Sequence, residues 1–314
     1  MKIAVLLFNL GGPGNLKEVR PFLFRLFNDP AILGAPQPWR SMMAWFLALG
    51  RCRAARKIYA QTGGRSLLFE NTEKQAHALE KELGGAGDVR CFVGMRYASP
   101  FIRDAWREIS SFAPGVVVQL PLYPQFSTTT TGSSLEESAR RKNFGVPVRT
   151  ITDYPELEGF VRFMADRTRE AYDEARQYGQ PKILLSAHGL PERRVRMGDP
   201  YPLQCEKTAR AFMRALSLPE ADATLCYQSR IGPVKWIGPQ THDEIVKAGR
   251  AKRPVVVVPI SFVSEHAETL VEIDREYADL AARSGVPLFL RAPVCGTDPA
   301  FIGALAALVR DALR

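Results

Sequence analysis

Cysteine is scarce and scattered in this 314-residue chain. Cys52, Cys91, Cys205, Cys226 and Cys295 form no C-x-x-C pair, which excludes zinc-site spacing and argues against a disulfide framework. A reducing cytoplasm is the simplest compartment for them. Histidine is scarcer still, with four residues. No uninterrupted apolar run reaches the roughly eighteen residues needed to span a bilayer. The apolar start "MKIAVLLFNLGGPG" has no small-residue cleavage site behind it. It reads as a first strand ending in a Gly-Gly-Pro turn, not as a signal peptide. Its glycines lack the spacing of a dinucleotide fingerprint, which discounts nicotinamide and P-loop sites. The net charge is +9, but no long Lys/Arg block accompanies it, so nucleic acid is not expected as a partner. An anionic membrane surface or an acidic small molecule fits that charge better.

What the chain does have is alternation. Short apolar runs, rich in β-branched residues, occur at 3–8, 89–93, 116–120, 146–151, 183–187, 223–227, 255–260 and 286–290. They are apolar throughout rather than every second residue, which suits strands buried on both faces of a parallel sheet. Helix-length amphipathic segments such as "ENTEKQAHALEKELG" lie between them. The pattern predicts an α/β protein with two similar doubly wound halves, 1–152 and 153–314, and a last helix packing back on the first. In such sheets ligands sit outside the carboxyl ends of the strands, so the residues just after each run are the ones to inspect.

Four of those stretches stand out. In "LLSAHGLP", His188 ends an apolar run and precedes a Gly-Leu-Pro turn. It is either a turn histidine bonded to backbone, or a neutral imidazole that accepts a proton or binds a metal. In "SFVSEHAETLVEID", a helix is expected after Ser264, with Ser264 as N-cap and Glu265 in the first turn. Glu268, Glu272 and Glu276 then recur every four residues on one side. They form either a solvated acidic face or a row of ligands and proton carriers for a divalent ion such as Fe(II). The loop "QSRIGPVKWIGPQT" combines Trp236, cations and two Gly-Pro steps, too irregular for a helix or strand. "STTTTGSS" resembles an anion-binding helix start, although Ser/Thr runs commonly just cap helices. Earlier, 31–57 joins a broad apolar surface to Arg51, Arg53, Arg56 and Lys57. That is the composition of an interfacial helix or the lip of a cleft for an amphiphile, the alternative being a buried core helix.

Taken in order, "NLGGP", "YAQTGGRSLL", "GMRYASP", "LPLYPQFSTTTTGSS", "LLSAHGLP", "QSRIGPVKWIGPQT" and "PISFVSEHAETLVEID" closely resemble the ferrochelatase family, over nearly the whole chain. The resemblance implies two Rossmann-like halves with the active cleft between them. It implies insertion of Fe(II) into protoporphyrin IX, giving haem and two protons. Coproporphyrin as substrate, or a non-catalytic porphyrin carrier, is the alternative. A carrier has no need of the Glu268, Glu272, Glu276 row. By resemblance His188 is the metal ligand or proton acceptor, and Glu268 is a carboxylate facing it across the ring. Glu272 and Glu276 match a trail for protons or metal, with His266 and Asp274 beside it. Arg53 and Arg56 are implied as propionate partners, Tyr59, Ser66, Arg96 and Tyr97 as pocket residues, and Trp236 as part of a wall holding the ring distorted. Fe(II) enters only as substrate and no bound cofactor is implied. Because only Cys295 lies near the C-terminus, no iron–sulfur cluster is expected. The implied location is cytoplasmic, with a peripheral contact on the inner face of the membrane.

Overall fold

Each of the eight apolar runs becomes a parallel strand in a computed structural model that describes residues 1–85, 87–141, 145–218, 221–230 and 232–314. Ile231 of the "QSRIGPVKWIGPQT" loop lies outside the described residues. The chain divides into two compact units, Met1–Asp153 with Leu305–Arg314, and Tyr154–Ala304.

The first unit carries β1 (Lys2–Asn9), β2 (Asp88–Met95), β3 (Val116–Pro121) and β4 (Val148–Thr150), in the order β2-β1-β3-β4. Around them run α1 (Val19–Phe27), α2 (Trp39–Ala60), α3 (Leu68–Leu83), α4 (Ile102–Phe112) and α5 (Ser133–Arg141). The second unit carries β5 (Lys182–His188), β6 (Asp222–Gln228), β7 (Val255–Pro259) and β8 (Phe289–Arg291), in the order β6-β5-β7-β8. Its helices are α6 (Glu158–Arg176), α7 (Glu192–Arg196), α8 (Tyr201–Leu216), α9 (Thr241–Arg250) and α10 (Ala278–Ser284). A final helix, α11 (Pro299–Leu313), begins in this unit and ends in the first.

The two sheets thus share one topology. In each, the first strand lies between its successor on one side and the third strand on the other. That reversal is a topological switch point, where open parallel sheets bind ligands. The strands are strands because both faces are covered: β3 and β7 are buried at every position. Helix α4 shows how the cover works. Ile102, Ala105, Trp106, Ile109 and Phe112 recur along one face and pack on Leu6, Phe8, Phe92 and Val117 of the sheet. Burying each large side chain of that set contributes about 1.5–3 kcal/mol. The Trp106 indole N–H is satisfied by the Ser138 hydroxyl at 2.7 Å. Two of the four edge strands, β4 and β8, start later than their apolar runs predict. Pro147 and Pro287 lack the N–H that a ladder needs, so β4 and β8 begin beyond them.

Candidate functional site: a histidine–carboxylate pair on a π-helix

His188 is the last residue of β5 and sits at the switch point beside β7. Its backbone N–H donates to the Ser261 hydroxyl, which follows β7, at 3.1 Å. The turn after it needs glycine: a Cβ on Gly189 would lie 2.8 Å from the Gln228 carbonyl oxygen and 3.1 Å from the Trp236 ring. The Gly189 N–H donates to that same carbonyl at 2.9 Å. Trp236 also bridges to Pro191 across the turn, so the expected wall residue packs directly against the histidine's loop.

The "SFVSEHAETLVEID" stretch departs from its expected form. The helix does not start after Ser264. It starts at Glu268 and runs to Tyr277 as a π-helix, with α10 continuing from it. The N-cap position falls on Ala267, not on Ser264, whose carbonyl accepts from His266 Nδ1 at 2.9 Å. The Thr269 hydroxyl accepts the His266 N–H instead, at 3.0 Å. Sequence periodicity cannot separate i→i+4 from i→i+5 hydrogen bonding, and π-turns are held mostly by their surroundings.

Glu268, at the helix start, meets His188 directly: Oε2 lies 2.8 Å from Nδ1. A flat macrocycle needs roughly 3.5 Å of carbon contact on each side, so at this separation the two groups leave no room for a ring between them. With Nδ1–H donating to the carboxylate, Nε2 is left as the nitrogen with the lone pair. Burial opposes charging of the imidazole, but the Glu268 carboxylate, with Glu272 behind it, outweighs that and raises the His188 pKa. Burial likewise pushes Glu268 up, but His188 first, then His266 and Ser229, pull it down to about 2. The pair is not sealed off, since the His188 side chain is 40% exposed and Glu268 28%. His266 Nε2 approaches the same carboxylate oxygen at 4.0 Å.

Glu272 sits one turn on and is held by neutral donors. It accepts from the Ser229 N–H at 2.8 Å, the Gln228 amide at 3.1 Å and the Tyr277 hydroxyl at 2.9 Å, and from the Ser229 hydroxyl as well. Ser229 takes a φ of +64° to aim both of its donors there, a left-handed conformation that costs a non-glycine residue energy. Its hydroxyl also reaches to 3.4 Å from Glu268, so one side chain touches both carboxylates. Gln228 is fixed in turn by the buried Ser186 hydroxyl, which donates to its amide oxygen at 2.8 Å. Glu276 is exposed, and partial burial together with the Glu272 charge raises its pKa. Asp274 does not join the row; it is the bidentate partner of Arg291. Among the described residues, no group of three or more His, Cys, Asp or Glu forms a ready metal cage.

The residues proposed from the first half fall into three places within their own unit. Tyr59 and Ser66 lie against the "NLGGPG" turn, where a Cβ on Gly12 would overlap Ser66 and come 3.7 Å from the Tyr59 hydroxyl. Arg96 and Tyr97 converge on Asp29, a buried carboxylate with no sequence signal. Arg96 reaches it at 2.6 Å, the Tyr97 hydroxyl at 2.7 Å and the Ser133 hydroxyl at 2.5 Å. Tyr97 is only 1% exposed, so it braces Arg96 from within and offers no surface of its own. "STTTTGSS" supplies that Ser133, while Ser127 caps the Thr129 N–H at 3.2 Å. Arg53 and Arg56 line a groove of about 670 Å³ with Arg20, Lys57, Leu49 and Cys52.

Helix α2 itself is turned inside out. Its small residues Ala44, Ala48 and Cys52 face inward, while Trp39 is 60% and Phe46 61% exposed, with Met42 and Met43 beside them. The alternative of a buried core helix is therefore excluded. No described helix is long and apolar enough to cross a membrane.

The sequence profile described as Ferrochelatase matches residues 2–313. The chain belongs to the ferrochelatase family. Curated members named Ferrochelatase include one from Caulobacter vibrioides, 49% identical over 99% of this chain and 90% of its own length. One from Phenylobacterium zucineum is 48% identical over 100% of this chain and 92% of its own. One from Rickettsia felis is 43% identical over 97% and 88%. The family's enzymes are metal chelatases, and this member is an enzyme of that class. At the level of fold, the chain resembles SirB from Bacillus subtilis with Fe3+, with a TM-score of 0.56, 15% identity and coverage of 99% and 96%. It also resembles CbiX, described as the terminal enzyme for biosynthesis of siroheme in denitrifying bacteria, at 0.51, 14% and 100% of both chains.

In this chain, sequence reading reached His188, Glu268 and Glu272 but missed what holds them. In the second unit Gln228, Ser229 and Tyr277 hold Glu272 and Arg291 holds Asp274; in the first unit Asp29 holds Arg96 and Tyr97. "QS" opens a loop already marked for attention, so Gln228 and Ser229 had a weak signal. The others had none: the partners of Asp29 and Arg291 are distant in the chain, and Tyr277 meets Glu272 within one helix.

Proposed function

We propose that this chain inserts Fe(II) into protoporphyrin IX to form protohaem, with release of two protons. The observation that supports it most is the His188–Glu268 contact of 2.8 Å at a strand-end switch point. Metallation requires a base over the ring centre to remove two pyrrole N–H protons. His188 Nε2 takes a proton there, and the ionised Glu268 stabilises the imidazolium that forms, without itself becoming protonated. The raised His188 pKa makes the imidazole a better proton acceptor. A pair without a complete ligand cage suits a metal that must be passed on, because the porphyrin nitrogens supply the remaining ligands. Protons leave past Glu272 toward Glu276, whose raised pKa and exposure favour picking one up and handing it to water.

Arg53 and Arg56, with Arg20 and Lys57 in the same groove, take the ring's propionates through bidentate pairing. Arg96, Tyr59, Ser66 and Trp236 complete the porphyrin contacts. The exposed aromatic and Met face of α2, followed by its cations, rests on the anionic inner face of the cytoplasmic membrane, a peripheral contact. Iron serves only as substrate; the five cysteines, four of them buried, are too dispersed for a cluster.

The test is anaerobic incubation with Fe(II) and porphyrin, followed by loss of porphyrin fluorescence. Many turnovers per chain with protoporphyrin are expected. Quenching that stops at one porphyrin per chain defeats the catalytic reading, and turnover confined to coproporphyrin defeats the substrate assignment.

A further inference from the structure

Arg291 closes β8 and is only 13% exposed on its side chain. It spends Nε and Nη2 on the two oxygens of Asp274, at 2.5 and 2.9 Å. Nη1 reaches Glu265 at 3.0 Å and the Ala292 carbonyl at 3.4 Å. Glu265 lies in the turn before the π-helix, and Asp274 lies in its second half. Between these two anchor points fall His266, Glu268 and Glu272. π-Helical turns are usually single and depend on outside contacts to persist; this one runs for ten residues. On one side Ser229 and Tyr277 grip Glu272. The other anchor is Arg291.

We propose that Arg291 is a positioning residue for metallation: its guanidinium ties the turn before the acidic π-helix and the helix's second half to β8, and so fixes Glu268 against His188 and Glu272 against Ser229. Lysine cannot substitute fully, because a single ammonium cannot pair bidentately with Asp274 and also reach Glu265. Without a cation, Glu265 and Asp274 face each other across a segment that already carries Glu268, Glu272 and Glu276. Their repulsion favours loosening of the helix. The proposal rests on the reading of His188 and Glu268 as the metallation pair.

The experiment compares Arg291→Met, Arg291→Lys, Asp274→Asn and His188→Ala in the full chain, with anaerobic Fe(II) and protoporphyrin. In Arg291→Met, kcat falls at least about tenfold, the scale of stranding two partly buried carboxylates. The KM for protoporphyrin stays within about threefold, as a transition-state effect requires. Arg291→Lys recovers part of the loss. Asp274→Asn, an isosteric change at a side chain one-third exposed, loses less than Arg291→Met. In these three variants the amides of Glu268–Tyr277 exchange hydrogen faster while those of β5 and β7 do not. Wild-type kcat in Arg291→Met or Asp274→Asn overturns the proposal. So does a loss carried wholly by KM, or one that lysine does not ease. His188→Ala keeps the two ideas apart. If it turns over normally, the site reading fails; if it is inactive while Arg291→Met is fully active, only the positioning role fails.

Discussion

Replacing Glu268 by glutamine removes one charge and almost no volume. The amide still offers an oxygen to His188 Nδ1–H, so the 2.8 Å hydrogen bond can survive. What is lost is charge assistance. Hydrogen bonds to charged groups contribute about 1.5–3 kcal/mol against about 1 for neutral ones. Both side chains are partly exposed, so solvent screens the difference toward its lower end, about 0.5–1 kcal/mol. That corresponds to a roughly 2- to 5-fold fall in kcat/KM. The pH profile gives the sharper sign. His188 must be neutral to accept a proton, and in the native chain Glu268 and Glu272 hold its pKa above the ordinary histidine value. The acid limb of kcat/KM therefore lies above about pH 6.5. With glutamine at 268 the largest raising influence is gone while burial still opposes charging, so the limb moves to lower pH. The assay is the initial rate of protoporphyrin metallation by anaerobic fluorimetry across pH 5 to 9. An unmoved acid limb, or one that moves upward, refutes the coupling of these two residues.

Three further outcomes follow from the same geometry. Gly189→Ala places a methyl 2.8 Å from the Gln228 carbonyl; overpacking of that kind costs about 1–3 kcal/mol, so both the urea midpoint and kcat should fall, since Gln228 and Ser229 hold Glu272. Hydrogen bonding from Lys182, assisted by Arg253 despite some burial, lowers the Asp222 pKa. Its contribution is present above the unfolded carboxyl value near 3.9 and is lost as pH falls through the lower folded value. The group is 43% exposed, so Asp222→Asn should lose at most about 1 kcal/mol at pH 7, a loss that shrinks as pH falls below the unfolded carboxyl value, read by melting temperature. Finally, the parent chain should bind anionic vesicles at low salt and release them at about 0.5 M salt, and Phe46→Ser with Arg53→Glu should abolish binding; no binding by the parent at low salt refutes the membrane contact.

The sequence reached the fold because its information was local. Runs such as "RPVVVVPI" are apolar on both faces, and only a covered parallel strand accepts that. His188 was legible because a polar residue ending such a run has to sit at the sheet's carboxyl edge. The π-helix was not legible. Glu268, Glu272 and Glu276 share a side whether the hydrogen bonds run i→i+4 or i→i+5, and Ser229 and Arg291 join that choice from elsewhere in the fold. Asp29 escaped for the same reason, since its partners Arg96 and Ser133 lie far along the chain. Asp274 was grouped with the proton trail by its neighbours in sequence, while its actual partner sits on β8. Helix α2 defied ordinary periodicity because its inward face is made of small residues, leaving the large apolar ones outside.

The central claim is that His188 carries the metallation step. The most direct measurement is multiple-turnover metallation by His188→Ala, run beside a titration of protoporphyrin binding to the same variant. The predicted result is loss of turnover with porphyrin binding retained within a few fold, since binding draws on other residues. Full turnover in His188→Ala contradicts the assignment.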